Sequence, residues 1–165
     1  MSARQEELLD RAYAYVRTHG ISDLSLRPLA SAIGSSPRVL LYLFGSKDGL
    51  IRALLARGRA EQLALRGAPD AFAIWTWAAD PARRELLILW LDAYARSLTD
   101  PTGPWADFAA RTVTDWLDIL SDDPNPTATL AILRGAMLDL IATGDTDRIT
   151  AAVQQALTAQ LARPQ

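Results

Sequence analysis

The segment "SLRPLASAIGSSPRVLLYLFGSKDGLIRALL", residues Ser25–Leu55, decides the fold because it carries the starts, stops and apolar spacing of two short crossing helices. Ala30 is small enough to let the helices cross closely, and Gly34 supplies the positive φ that a tight turn requires. Ser36, followed by proline, is a cap and first-turn pair for the second helix. The pattern predicts a helix-turn-helix over about residues 25–45, and on spacing alone an ordinary helical hairpin is the alternative.

The rest of the chain shows apolar residues three, four and seven positions apart, without the strict alternation of a half-buried strand. We therefore expect an all-α protein of about nine helices, in which a three-helix N-terminal head with the helix-turn-helix precedes a C-terminal helical bundle. Helix signals fall over about residues 5–18, 25–33, 37–44, 46–66, 70–79, 81–99, 104–121, 126–143 and 146–162. Gly67 and Pro69 mark a boundary between two predicted domains, residues 1–66 and 67–165.

Charge divides the chain at the same place. The net charge is −2, but residues 1–66 hold ten Arg and Lys against six Asp and Glu, whereas residues 67–165 hold seven against thirteen. Such an asymmetry is typical of a chain with one end that faces nucleic acid. All five tryptophans lie in the acidic part, so two roles are separated along the sequence.

Composition argues against several classes of function. There is no cysteine and one histidine, His19, so we expect no disulfide, no metal site, no cofactor and no catalytic residues. An enzyme is the weaker alternative, because the available carboxylates are more typical of a solvated helix edge than of metal ligands: Asp115, Asp118, Asp122 and Asp123. The N-terminus lacks a signal-peptide pattern and no stretch is long and apolar enough to span a bilayer, so we expect a cytoplasmic protein without membrane contact.

Ser25–Leu55 resembles the DNA-binding segment of the TetR/AcrR-type, tetracycline-repressor-like family of bacterial transcriptional regulators. The resemblance is ungapped across Arg27, Ala30, Gly34, Ser36, Leu40, Phe44, Ser46, Lys47, Asp48 and Leu50. One departure is that Leu41 stands where the family usually has tyrosine, and Tyr42 follows it. Which of these two side chains makes the family's tyrosine contact with DNA is therefore open.

The resemblance implies a recognition helix whose first residues meet base edges in the major groove. Arg38 is suited to a bidentate contact with guanine, and Lys47 is suited to a phosphate. The candidate DNA-binding residues are Ser25, Arg27, Ser35, Ser36, Pro37, Arg38, Leu41, Tyr42, Ser46 and Lys47. Two alternatives remain at single positions, since Tyr42 could be a half-buried packing residue and Arg27 could pair with Asp23.

Aromatic residues in the second part are candidates for a ligand pocket, because pockets for organic ligands are largely apolar and aromatic. The candidates are Trp75, Trp77, Trp90, Tyr94, Trp105, Phe108 and Trp116, with Asp92, Arg96, Asp107, Arg111 and Asp115 as polar anchors. The family resemblance implies a small apolar or aromatic effector there. Plain core packing is the alternative for aromatics at helical spacing.

Residues 129–145 are apolar nearly all round the helix and so require cover on more than one side. As in the resembled family, the last two helices are expected to pair with their copies in a homodimer. The candidate interface residues are Leu130, Leu133, Met137, Leu140, Ile141, Ile149, Val153 and Leu157. The predicted function is a ligand-responsive repressor that binds a palindromic double-stranded DNA operator as a homodimer. The alternative is a helical protein-interaction module without sequence-specific DNA binding.

Overall fold

The computed structural model describes residues 1–68 and 70–162, and the regular secondary structure in this part of the chain is all helical, which confirms the all-α prediction. The α-helices are α1 (Ala3–His19), α2 (Leu26–Ala32), α3 (Pro37–Phe44), α4 (Lys47–Leu63), α5 (Ala71–Ala79), α6 (Arg84–Thr99), α7 (Phe108–Ile119), α8 (Pro126–Thr143) and α9 (Thr146–Leu161). A 3-10 turn over Pro81–Arg83 precedes α6. Among the described residues, no helix has the length and apolarity needed to cross a membrane.

The predicted cap at Ser36 is present, since Ser36 Oγ accepts a hydrogen bond from Val39 N at 3.3 Å. The predicted start of α7 at Pro104 is wrong, because α7 begins at Phe108. Asp100 Oδ1 accepts from Gly103 N at 3.1 Å, and the preceding segment is thereby closed into turns that delay the helix.

Contacts between residues divide the chain into two compact units. The first contains Met1–Gln62 and Ile88–Ala110, and the second contains Leu63–Leu87 and Arg111–Gln165. The division is not a single cut of the chain, since Ile88–Ala110 groups with the first 62 residues. The DNA-binding and ligand-binding roles expected for residues 1–66 and 67–165 stay predictions.

The core of the first unit is built on α1. Leu8, Ala12 and Val16 are fully buried. Tyr13 is buried on the same helix, whereas Tyr15 is half-buried and stacks on His19 with the ring centroids 4.0 Å apart.

The core of the second unit corrects the predicted dimer interface. Six of the eight candidate interface residues are already buried within a single chain: Leu130, Leu133, Met137, Leu140, Ile149 and Val153. They pack with Trp75 and Trp116, and Ile141 and Leu157 are half-buried against the same cluster. A partner chain therefore cannot reach these six side chains without unfolding the bundle, and any interface on α8 and α9 uses other residues.

Candidate nucleic-acid interface

Helix α3 presents an exposed face of unusual composition. Leu40 is 1% exposed and fixes the inner side of the helix, whereas Tyr42 is 86% exposed, Leu41 is 41% exposed and Val39 is 39% exposed. The interpretation of Tyr42 as a half-buried packing residue is therefore wrong. Large exposed apolar side chains that cluster on one short helix are typical of a surface that contacts a partner.

The N-terminal end of α3 carries the exposed residues Ser36 and Arg38, with Pro37 half-buried between them. Ser36 uses its hydroxyl to cap the helix. Ser35 differs from the prediction, because its Oγ is buried and has no hydrogen-bond partner in the described part of the chain. We therefore remove Ser35 from the side chains that could reach a base edge and keep Arg38 as the principal one.

Basic side chains surround α3 without acidic partners. A groove of about 700 Å³ is lined by Ser22, Asp23, Leu24, Ser25, Leu26, Arg27, Pro37, Lys47 and Arg96. Arg27, Lys47 and Arg96 are exposed. Within residues 1–68 and 70–162, neither these three nor Arg38 makes an ion pair, which argues against the alternative pairing of Arg27 with Asp23.

Arginines elsewhere in the first unit behave differently. Arg4 and Arg11 both pair with Glu7, at 2.7 and 2.6 Å, and Arg57 pairs with Asp10 at 3.0 Å. The hydrogen bond from Arg4 and the charge of Arg11 hold the pKa of Glu7 below its ordinary value. Arg38 on α3, and Arg27, Lys47 and Arg96 in the groove, thus lack an acidic partner in the described ranges, and a polyanion would supply the missing negative charge.

Arg96, which the sequence suggests as a polar anchor of the ligand pocket together with Asp92, lines the basic groove in the structure. Both lie on one face of α6 within the first unit. Asp92 accepts hydrogen bonds from Ile21 N at 3.3 Å, from Ser22 N at 3.1 Å and from Ser22 Oγ. These bonds attach α6 to the α1–α2 connection and bring Arg96 into the basic groove. The four-residue spacing of Asp92 and Arg96 predicts that the two side chains share a face of the helix. It does not predict which part of the protein that face contacts.

Two side chains of α1 donate hydrogen bonds to backbone carbonyls at the C-terminal ends of α2 and α3. Gln5 Nε2 donates to the carbonyl of Leu43 at 2.8 Å, and Arg11 Nη1 donates to the carbonyl of Ile33 at 3.3 Å. Both acceptors lie at helix C-termini, where carbonyls lack intrahelical donors. Gly34, at φ +68°, makes the turn between α2 and α3, as the sequence predicts.

The turn from α3 to α4 positions Lys47. Gly45 has φ +77°, and Ser46 Oγ accepts from Gly49 N at 2.9 Å, so that the serine caps α4. Ser46 and Lys47 are both exposed at this helix start. Backbone N–H groups at a helix N-terminus favour an anion, which makes this end of α4 a suitable neighbour for a phosphate.

The sequence model of bacterial regulatory proteins of the tetR family matches residues 8–54, the segment from α1 through the helix-turn-helix into α4. Residues 8–54 therefore form an N-terminal domain of the TetR-family type. A comparison with curated proteins gives no match.

Solved structures share the fold over nearly the whole length of this chain. A protein assigned to the TetR family of transcriptional regulators from Rhodococcus sp. is 23% identical, with a TM-score of 0.66, over 96% of this chain and 98% of the other. A TetR transcription regulator from Haloarcula marismortui is 20% identical, with a TM-score of 0.66, over 96% of both chains. The multidrug binding protein EbrR complexed with proflavin is 22% identical, with a TM-score of 0.61, over 93% of this chain and 99% of the other. At these identities the likeness shows the shared fold alone.

The aromatic residues predicted for the effector pocket are divided between the two units of the TetR-family fold. Trp75, Trp77 and Trp116 belong to the second unit, and Trp90, Tyr94, Trp105 and Phe108 belong to the first. Trp75, Trp105 and Trp116 are at most 4% exposed and act as core, with Trp75 Nε1 donating to Thr150 Oγ1 at 3.0 Å. The half-buried members that a ligand could reach are Trp77, Trp90, Tyr94 and Phe108.

Metal chemistry receives no support from this geometry. In the described part of the chain, no three His, Cys, Asp or Glu side chains converge as a metal site would require.

Proposed function

We propose that this chain is a DNA-binding transcriptional regulator whose helix α3 reads an operator in the major groove. The exposed face of α3, bordered by unpaired cations, is the observation that carries this proposal. Arg38 would contact a guanine edge, and Leu41 and Val39 would offer apolar surface to thymine methyl groups. Arg27, Lys47 and Arg96 would hold phosphates on either side of the groove, together with Ser25, Ser46 and the start of α4.

Selection of bound duplexes from a random pool at two salt concentrations tests this proposal directly. We expect enrichment of one sequence and affinity that falls steeply with salt. Arg38→Ala should cost about 1–3 kcal/mol in binding and relax the preference at one base position, whereas Arg27→Ala should weaken all sequences equally and lower the salt slope by about one. Arg148→Ala, which removes the same charge from α9, is the matched control and should leave binding unchanged. A folded protein that enriches no sequence would refute operator recognition and favour an interaction module.

We further propose that the regulator binds a twofold-symmetric operator as a homodimer, because paired recognition helices must lie about 34 Å apart to enter successive major grooves. The interface is formed by the exposed face of α8, and not by the six candidate residues that are buried in the core of the second unit. Leu138 is 46% exposed, and Ala131, Gly135 and Ala142 are exposed on the same side of the helix. A Cβ built on Gly135 meets no atom within 4 Å, so another helix could approach closely there.

Sedimentation of a Leu138→Glu variant tests this interface. We expect a monomer, because a carboxylate in an apolar helix–helix contact is strongly disfavoured. Leu98→Glu is the matched control, since Leu98 is also exposed, at 66%, but lies on α6. A Leu138→Glu protein that stays dimeric would place the interface elsewhere.

The effector is proposed to be a small apolar or aromatic molecule. Its support is the fold likeness to EbrR, which has been solved in complexes with proflavin and with imidazole. Trp90, Tyr94 and Phe108, all half-buried in the first unit, are the side chains offered to it. An effector that prefers the conformation unable to bind the operator would release the DNA by shifting the population. Quenching of tryptophan fluorescence that disappears in Trp90→Phe, accompanied by operator release, is the expected result, whereas release without loss of quenching would exclude Trp90.

A further inference from the structure

The second unit contains a cavity of about 600 Å³ between the start of α5, the end of α7 and the second half of α9. This volume lies within the range of about 300–1,000 Å³ that small-molecule sites occupy. None of the seven aromatic residues predicted for the effector pocket lines it. The cavity is therefore a separate candidate site.

Two kinds of surface line this cavity. Apolar wall is supplied by Ala68, Ala71, Phe72, Ile74, Leu120 and Leu157. Four carboxylates lie in the lining, from Asp70, Asp118, Asp122 and Asp123, against one cation, Arg66, which pairs with Asp118 at 2.8 Å. Four negative charges and one positive charge leave an excess of three negative charges, so the lining is complementary to a cation that carries an apolar body.

Gln160 supplies an independent sign of a missing ligand. Its Nε2 donates to Thr129 Oγ1 at 2.9 Å and to the carbonyl oxygen of Asn125 at 3.3 Å. A carbonyl can only accept, so the amide nitrogen must face Asn125 and the amide orientation is fixed. Gln160 Oε1 is buried and has no hydrogen-bond partner among the residues that the structure describes. An N–H donor from a molecule in the cavity would satisfy it.

The carboxylates are not arranged to chelate a metal ion. Asp70 Oδ1 accepts from Ala73 N at 2.8 Å, and the two oxygens of Asp123 accept from Asn125 N at 2.7 Å and from Thr129 Oγ1 at 2.9 Å. These oxygens are turned to the backbone and to a hydroxyl, and they contribute charge to the cavity at a distance. An organic cation that spreads its charge over N–H groups suits them better than a compact ion does.

We propose that this cavity binds an organic monocation, an ammonium or amidinium group attached to an apolar or aromatic body. The body lies against Phe72 and Leu157, and the charged head lies at the acidic rim, where Asp122 is exposed and has no partner in the described part of the chain. An N–H of the head donates to Gln160 Oε1. The site belongs to the second unit alone and does not depend on the reading of DNA by α3.

The experiment measures binding of 4-aminobenzamidine to the full chain by its fluorescence, without DNA, so that failure here is separate from failure of operator binding. The neutral probe is 4-aminobenzamide, which has nearly the same shape. We expect the amidine to bind at least tenfold more tightly than the amide, in a salt-dependent manner.

Two variants locate the site. Asp122→Asn should weaken amidine binding by up to about fivefold, and Leu157→Trp, which fills the cavity, should abolish it. Asp147→Asn is the matched control, because Asp147 is an exposed carboxylate of the same unit that lies outside the cavity. The proposal is overturned if the amide binds equally well, if Asp122→Asn has no more effect than Asp147→Asn, or if binding survives in Leu157→Trp and disappears in Trp90→Phe.

Discussion

Replacing Gly49 by alanine tests how closely the start of α4 approaches the recognition helix. A Cβ built on Gly49 would lie 2.1 Å from the carbonyl oxygen of Phe44. Since carbon–oxygen contacts normally begin near 3.3 Å, the added methyl group is about 1.2 Å too close. The neighbour is backbone at the end of α3, so no side chain can rotate away. The first turn of α4 must therefore move by about an ångström, and we expect a loss of about 1–3 kcal/mol in the free energy of unfolding.

Gly135→Ala is the control for this prediction, since within the single chain Gly135 lies inside α8 with open space around it. Because Gly135 also lies on the proposed dimer interface, both glycine variants are made in the Leu138→Glu background, which we expect to be monomeric. There the same added methyl group should stabilise the helix by about 0.5–1 kcal/mol. Urea unfolding followed by circular dichroism measures both variants at one protein concentration, so that any remaining self-association affects them equally. Operator affinity of Gly49→Ala should also fall, since the displaced turn carries Lys47 away from α3. A Gly49→Ala protein that unfolds at the same urea concentration as the parent would refute the steric argument.

Three further predictions concern single side chains. Tyr42→Ala should weaken operator binding several-fold and leave thermal stability within about 0.5 kcal/mol, because the side chain is almost fully exposed; equal binding would assign the tyrosine contact to another residue. Asp92→Ala should lower the free energy of unfolding by about 2–3 kcal/mol, since Ser22 N and Oγ lose a charged acceptor, and urea unfolding measures this. Arg148, through its hydrogen bond, holds the pKa of Asp139 below its ordinary 3.8. A carboxyl group whose pKa is lowered by folding stabilises the fold at pH values above its ordinary pKa. This contribution is lost as the pH falls through the lowered pKa. The difference in melting temperature between Asp139→Asn and the parent should therefore shrink between neutral pH and about pH 2.

The helix-turn-helix could be predicted from sequence because its determinants are local. Ser36 caps α3 through a hydroxyl that needs only the next three residues, and Gly34 takes the positive φ of the turn whatever else surrounds it. Ala30 is 1% exposed where the two helices cross. Each of these features is decided within a few residues of chain, which is the range over which capping and turn chemistry act.

Which side of an apolar helix is covered could not be predicted from sequence. Helix α8 is apolar nearly all round, so its periodicity does not distinguish the side of Leu133, which is fully buried, from the side of Leu138, which is 46% exposed. The choice is made by α5, which is distant along the chain, and by α9, which follows α8 directly and folds back on its Leu133 side. Tyr13 and Tyr15 on α1 show the same limit on a smaller scale, since only tertiary packing decides which ring is buried.

The charge of the surface around α3 cannot be obtained from a count of basic residues alone, because the structure shows which of them are paired with carboxylates. The excess of basic residues in residues 1–66 includes Arg57, which pairs with Asp10, as well as Arg27 and Lys47, which have no acidic partner in the described ranges. An arginine that is paired with a carboxylate adds little to the electrostatic potential at a phosphate. A count of basic residues therefore overstates the contribution of paired positions such as Arg57. It also omits Arg96, which lies in the acidic half of the sequence and yet lines the basic groove. The potential that would attract DNA therefore arises from unpaired side chains that include Arg27 and Arg38 in the helix-turn-helix and Lys47 at the start of α4. Arg96 is added to them by the hydrogen bonds of Asp92, which attach α6 to the α1–α2 connection.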